Sequence, residues 1–185
     1  TKSYTISSGD REFSRDDCFL NECPDVLLVG FVDAAAFSGH FKKNPYNFQH
    51  FHLNYINVLV NGQPSPLREL TPDFDVDNYL ECYSALFDGN GTLFKDAGLD
   101  IAREDFPNGF ALYHFDLTSD KSNYEFVKNP HTGGNLRLEA KFKNGLTNAT
   151  VAIVMGVFFN EIQIDNARQV TFDYKSSTQT KLRPF

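Results

Sequence analysis

Leu136, Leu138, Ala140 and Phe142 alternate with Arg137, Glu139, Lys141 and Lys143. That is the period of a β-strand with one dry face and one charged face. Asn144-Gly145 follows as a turn. The run Val151 to Phe159 is apolar at every position, which predicts a strand covered on both sides. Alternation resumes with Ile162 and Ile164 against Glu161, Gln163 and Asp165, and again with Val170, Phe172 and Tyr174 against Thr171 and Asp173. The simplest reading of these forty residues is an antiparallel meander around the apolar strand, with the upstream chain supplying strands to cover it.

Upstream, Tyr4 and Ile6 alternate with polar neighbours in a first strand, turned by Gly9-Asp10. Arg11 to Pro24 is mixed and reads as a loop or short turn anchored by Phe13, Phe19 and Leu20. Val26 to Val32 is a buried β-branched run, and His40 to Phe48, with Lys42, Lys43, Asn44, Pro45 and Tyr46, is an exposed loop. Phe51 to Val60 predicts a strand with Phe51, Leu53, Tyr55 and Asn57 on one face and His52, Asn54, Ile56 and Val58 on the other. Asn61-Gly62 is the strongest hairpin signal, since both residues tolerate the positive φ of a type I′ turn. Pro64 and Pro66 confine the return strand to a sheet edge.

Tyr79, Leu80, Tyr83, Leu86 and Phe87 recur at helical spacing within a helix predicted over Asp75 to Asn90, capped by Asp75 or Asp77 and stopped by Gly89 and Gly91. After a long connection, Ala111, Tyr113, Phe115 and Leu117 oppose Phe110, Leu112, His114 and Asp116 in another strand. Ser119 to Gly134 reads as a polar loop and Lys175 to Phe185 as an aperiodic tail. Seven to nine strands, one short helix and long loops make the chain mostly β: an antiparallel β-sandwich or jelly roll in a single domain spanning 1–185. From the absent starting Met we expect a fragment of a longer protein or a processed product.

Nineteen Phe and eight Tyr suit strands and large packed interfaces. A net charge of −7 argues against wrapping nucleic acid and against an electrostatic membrane-surface role. The longest apolar run, Val151 to Phe159, is too short to span a membrane as a helix. Cys18, Cys23 and Cys82 are too few for a disulfide scaffold; Cys18 and Cys23 could pair, but free thiols are the plainer reading. Asn90 and Asn148 open glycosylation sequons that matter only in a secretory compartment.

The chemistry-bearing residues have modest explanations. His50 and His52 share a strand face and, with His40, His114 or His131, could ligate a metal, yet strand histidines beside Phe48, Phe51 and Tyr55 are more often hydrogen-bonded surface or core residues. Asp73, Asp75 and Asp77 resemble part of a calcium loop without its central Gly and bidentate Glu, so helix capping explains them better. Arg103-Glu104-Asp105 reads as a surface ion-pair knot, and a hydrolase built on Glu104 or Asp105 would need burial and a deep pocket. We expect no catalytic residue, no metal and no cofactor. The candidate contact patch for a glycan or an acidic partner is the basic-aromatic loop of His40, Lys42, Lys43, Asn44 and Tyr46, although a solvated turn explains it as well.

One string of motifs in order carries a resemblance: Phe31-Val-Asp33, Phe41 to Phe48, His50 to Tyr55, Leu70 to Phe74, Ser84 to Phe87, Arg103 to Phe106, Gly109 to Tyr113, Phe115 to Thr118 and Gly134 to Glu139. Together they resemble the C-terminal half of the capsid-like proteins of Maverick/Polinton elements and adintoviruses, from about Phe13 to Tyr174. The resemblance implies a viral structural protein of jelly-roll type, without catalysis, located in the virion. Its expected partners are copies of itself in a homo-oligomer, foremost a trimer, and other virion proteins. A receptor-binding fibre head that recognises a host-cell glycan or protein is the alternative, and a hydrolase is the third.

Overall fold

The computed structural model describes residues 1–19, 22–65, 69–93, 95–96, 98–119, 121, 133–158, 162–166 and 168–172. The strands are β1 (Lys2–Ile6), β2 (Glu12–Arg15), β3 (Val26–Asp33), β4 (Phe48–Gln49), β5 (Leu53–Val60), β6 (Gln63–Pro64), β7 (Asn108–Gly109), β8 (Leu112–Asp116), β9 (Leu136–Phe142), β10 (Thr150–Val157), β11 (Ile162–Ile164) and β12 (Val170–Phe172). Two helices, α1 (Ala34–Phe37) and α2 (Leu80–Gly89), and a 3-10 turn at Phe74–Val76 complete the elements. The expected loop 119–134 lies largely outside the described residues, and the tail 175–185 lies wholly outside them.

Eight strands form two four-stranded antiparallel sheets, ordered β1-β10-β3-β8 and β2-β9-β5-β6. Except for the β5–β6 hairpin, each strand of this set lies in the opposite sheet from its predecessor. The sheets bury one layer between them, a β-sandwich. Leu27, Val29, Phe31, Tyr113, Phe115, Ala152 and Val154 from the first sheet share a single buried cluster with Leu53, Ile56, Val58, Leu136, Leu138, Ala140 and Phe142 from the second. Phe31 and Phe142 meet edge-on across the layer with ring centroids 5.4 Å apart, and Phe31 also packs against Tyr113. Edge-to-face pairs of this kind add to the burial of the rings themselves.

β9 keeps the strict alternation its sequence predicts, with Leu136, Leu138, Ala140 and Phe142 buried. The expected meander does not form. β9 and β10 lie in different sheets, and residues 143–149 cross between them instead of closing a two-residue hairpin. β10 pairs along its whole length with β3, from Thr150 opposite Asp33 to Val157 opposite Val26. That register puts Ala152 and Val154 inward beside Phe31 and Val29. Its other face is only half covered: α1 packs Ala36 on Val32 and Val151, while Met155 and Val157 remain 38% and 42% exposed.

Three further elements differ from expectation. In β5 the register shifts between Leu53 and Tyr55, because Asn54 is an extra residue opposite the Phe142–Lys141 step. This bulge brings Leu53 into line with Ile56 and Val58 on the core face and sends Tyr55 and Asn57 outward. The helix predicted from Asp75 is broken. Phe74–Val76 is a 3-10 turn capped by Asp73, Asp77 turns left-handed at φ 54°, and α2 starts only at Leu80, which stays exposed. The segment 11–24 contains the edge strand β2, whose pattern is weak because Phe13 is its one apolar residue.

The hairpin signal holds. Asn61 and Gly62 both adopt positive φ between Val60 and Gln63, and β6 with Pro64 sits at the edge of its sheet. All three cysteines are free, with Cys18 and Cys82 buried. Burial pushes the Cys82 thiol up to about 12, with the Glu81 charge adding to it. Among the described residues no helix is long and apolar enough to cross a membrane.

Phe142→Ala, which empties the centre of the layer, lowers unfolding free energy by about 3–5 kcal/mol. Phe41→Ala, at a position 87% exposed, stays within about 0.5 kcal/mol of the parent. Urea denaturation midpoints of the two variants check the pair.

Candidate functional site

Asp33 ends β3 and its carboxylate accepts hydrogen bonds from the backbone N–H groups of Ala35 and Ala36, which starts α1. The other oxygen of Asp33 holds Lys43 Nζ at 2.9 Å. Lys43 and the α1 amides together hold the Asp33 carboxyl below its usual range, Lys43 first. The Asn44 side-chain oxygen accepts from Tyr46 N at 3.0 Å, an Asx turn that folds the chain back toward β4. The loop 38–47 is therefore braced at both ends by side chains the sequence supplies locally.

What this bracing presents is aromatic. Phe41 is 87% exposed and Tyr46 76%. The His40 ring stacks on Phe41 at 5.7 Å, and Lys42 Nζ lies over the same ring at 5.4 Å. Of the five residues expected as a contact patch, Lys43 and Asn44 shape the loop, whereas His40, Lys42 and Tyr46 are displayed by it. Phe41, which sequence reasoning left out, is the most exposed large apolar side chain among the described residues. An aromatic inside a Lys- and Asn-rich turn was the signal for it.

The loop grows from the outer face of the β1-β10-β3-β8 sheet. It leaves that face at α1 and returns to it at Phe48, whose ring lies over Gly30; a Cβ there would stand 2.7 Å from Phe48 Cδ1. β4 is tied down by β7, which is followed by Phe110, 46% exposed. Phe37 at the end of α1 is 47% exposed. Beyond this covered half, the same face carries Val26, Leu28, Met155 and Val157. Met155 lies opposite Leu28 and Val157 opposite Val26. The face thus carries a basic-aromatic loop at one side and, at the other, an aliphatic block in which Met155 and Val157 are exposed and Val26 and Leu28 half-buried.

A second cluster gathers the expected histidine and aspartate positions. Phe51 and His52 both adopt positive φ, 45° and 51°, an uncommon backbone for such residues. His52 Nδ1 lies 3.0 Å from Asp75 Oδ1, and Lys143 Nζ lies 2.6 Å from Asp75 Oδ2 and 3.5 Å from Asp73. His50 stacks on Phe74 at 4.2 Å. Burial, and then the neighbouring His52, push the His50 imidazole down, against the pull of Asp75. These ion pairs are largely solvent-exposed, so they contribute little stability. They clamp the irregular start of β5 and the end of β9 to the 3-10 turn. Among the described residues no group of three His, Cys, Asp or Glu side chains is placed to hold a metal ion. His40 sits in the loop, His114 sits against Gly89 of α2, and His131 lies outside the described residues.

The Arg103-Glu104-Asp105 turn is exposed. Arg103 lies over the Tyr79 ring at 5.6 Å and donates to Asp77 O, in place of the expected pairing with its neighbours. Asn90 donates its side-chain amide to Leu86 O, as a helix stop does.

No family model matches the chain. No solved structure matches it either. An uncharacterized protein of Caenorhabditis elegans is 25% identical over 146 residues, a stretch that covers 76% of this chain and 34% of that protein. The chain thus spans about a third of the length of the curated relative it matches.

The buried His114 gives a pH prediction. Burial pushes its imidazole below 6.5, and Asp116 and Asp88 oppose the shift. The unfolded chain therefore binds a proton that the folded chain refuses as pH falls through about 6.5, and stability drops on acidification. His50 acts in the same direction. His114→Gln makes thermal unfolding less sensitive to pH between about 6.5 and 5 by up to one proton per molecule. Calorimetric Tm series at stepped pH, parent against variant, measure it.

Proposed function

We propose that the chain is a structural assembly domain, an eight-stranded jelly roll that packs against further copies of itself in a virion shell or spike. The strand orders carry the reading. β1-β10-β3-β8 against β2-β9-β5-β6, with one hairpin at β5–β6, supports it, since two Greek keys wound over a double sheet are what a jelly roll requires. The motifs that resemble capsid-like proteins lie on this frame: Phe31 to Asp33 on β3 and α1's cap, Phe41 to Phe48 in the displayed loop, and Gly134 to Glu139 leading into β9. The outer face supplies the means of assembly. An apolar block of Val26, Leu28, Met155 and Val157 on one face of a sheet is the kind of surface that a second subunit covers. A trimer is the expected assembly.

A second reading rests on a different observation. Phe41 and Tyr46 stand out from a loop braced by Lys43–Asp33 and Asn44, an arrangement that suits attachment to a host glycan or protein. The hydrolase reading has no comparable support, because Glu104 and Asp105 lie on the surface of a turn, without the burial that acid–base chemistry draws on.

Light scattering on a size-exclusion column is the test. The proposal expects a particle of three times 21.0 kDa and expects Met155→Lys to reduce it to a monomer with an unchanged Tm. A parent chain that stays monomeric at high concentration overturns it. Phe41→Ala with Tyr46→Ala leaves the mass unchanged and, on the attachment reading, abolishes binding to host cells.

A further inference from the structure

Four Asn-Gly pairs stand in the chain: Asn61-Gly62, Asn90-Gly91, Asn108-Gly109 and Asn144-Gly145. A glycine after asparagine leaves its backbone nitrogen open to the asparagine side chain, because no Cβ shields it and the peptide turns freely. That nitrogen can attack the side-chain carbonyl carbon, and the fold decides which pair is free to react. In three pairs the side chain is held. Asn61 Oδ1 accepts from Asn135 N at 3.0 Å, and the Asn61 amide donates to Gly133 O. Asn90 donates to Leu86 O at 3.0 Å, and the nitrogen of Gly91 is itself engaged, donating to Asp88 O at 2.8 Å. Asn108 donates to Glu104 O at 2.8 Å, and Gly109 is paired with Phe48 between β7 and β4.

Asn144 differs. It is exposed, and among the described residues neither its side chain nor Gly145 N makes a hydrogen bond. The backbone around it is nonetheless fixed: Lys143 N donates to His52 O, Leu146 N to Asp10 O, and Gly9 N to Leu146 O. Gly145 passes so close to the turn after β1 that a Cβ there would stand 2.8 Å from Gly9 O. Packing thus demands glycine at 145, and Asn144 stands beside an unshielded nitrogen.

We infer that Asn144 is a site of spontaneous deamidation, the first of the four pairs to react in the folded chain. Gly145 N bonds to Asn144 Cγ and gives up its proton, and the side-chain nitrogen leaves with that proton as ammonia. The five-membered imide then takes up one water. Attack of water at Cγ breaks the new C–N bond and leaves aspartate; attack at the backbone carbonyl carbon breaks the original peptide bond and leaves isoaspartate, with the chain continuing through Cγ. Both products carry an added negative charge. Isoaspartate also adds a backbone atom to the crossing from β9 to β10, just ahead of Leu146, which is buried in the core. Breaking a hydrogen bond of ordinary net strength slows such a step by about fivefold, so Asn144 leads each tethered pair by at least that factor.

The experiment ages the full chain in neutral buffer over weeks, with a parallel sample in urea above the unfolding midpoint. Tandem mass spectrometry of peptides scores each asparagine by the mass change from amide to acid. The inference expects Asn144 to lead in the folded sample and the four pairs to react at similar rates in urea, where no tether survives. Asn144→Gln, whose longer side chain closes the ring poorly, folds like the parent and lacks the fast site. Equal rates at the four pairs in the folded chain overturn the inference. A lead of Asn144 that persists unchanged in urea also overturns it, because local sequence and not the fold would then select the site. The isoaspartate fraction, isolated by ion exchange, is expected to unfold at lower urea than the parent, whereas Asn144→Asp, with the same charge and a normal backbone, keeps the parent's midpoint. An isoaspartate fraction that unfolds with Asn144→Asp overturns the effect on Leu146 and leaves the site standing.

Discussion

The structure depends on one constraint: two four-stranded sheets must bury a single apolar layer between them. Phe31 stands at its centre and touches Tyr113 within its own sheet and Phe142 in the other. Removing apolar surface from water is the main favourable term in folding, and here both sheets must be complete before that layer is dry. A winding that sends successive strands to opposite sheets meets the requirement. It draws the layer from residues as distant as Leu27 and Val154, so neither half of the chain supplies the core alone.

The same winding creates sheet edges, and the chain treats them differently. At one side β1 and β2 come together through the Tyr4 and Phe13 rings, with Arg15 over Tyr4. At the other side α2 lies along β8. Its Gly89 lies against the ring of His114, which points to the outer face, while its Cys82 sits close enough to Tyr113, which points inward, to influence its ionisation. The helix thus reaches both faces of β8 and covers its edge, a common protection against unwanted pairing. β6 is short and carries Pro64, which blunts the remaining edge. With edges guarded in these ways, the outer face of the first sheet is where Met155 and Val157 stay exposed.

That face also explains why the functional reading favours contact over chemistry. Its displayed groups are Phe41, Tyr46, Phe110, Met155 and Val157, rings and aliphatics suited to shape-matched packing. The polar cluster around Asp75 has a mechanical role. Asp75 takes Lys143 and His52 together, and this pins the left-handed pair Phe51-His52 where β5 begins. Backbone strain held by surrounding contacts is often a sign of a functional site; here it sits beside the bulge at Asn54, which sets which side of β5 faces the core.

Much of the frame was legible in the chain. The alternation in Leu136 to Phe142, the buried run Val26 to Val32, the aromatic alternation around Tyr113 and the Asn61-Gly62 turn each follow from local periodicity or φ preference. The displayed loop was legible as a loop because Pro45, Asn44 and the lysines require water. Other features depend on distant residues. A parity count along Phe51 to Val60 cannot reveal a bulge, since the extra residue shows only against Phe142 and Lys141 in β9. The break at Asp77 lies in a turn closed by reciprocal backbone hydrogen bonds between Asp73 and Asn78, and Lys143 on Asp75 and Arg103 on Asp77 O tie that turn to more distant parts of the chain. Val151 to Val157 announces a strand with two apolar faces, yet only the pairing with β3 and β1 decides that one face enters the core and the other stays half bare. Sequence by itself determined which segments are strands and turns, because periodicity and φ preference are local. Tertiary structure alone decided which sheet each strand joins and which apolar face stays half bare, because those follow from pairing between strands that lie far apart in the chain.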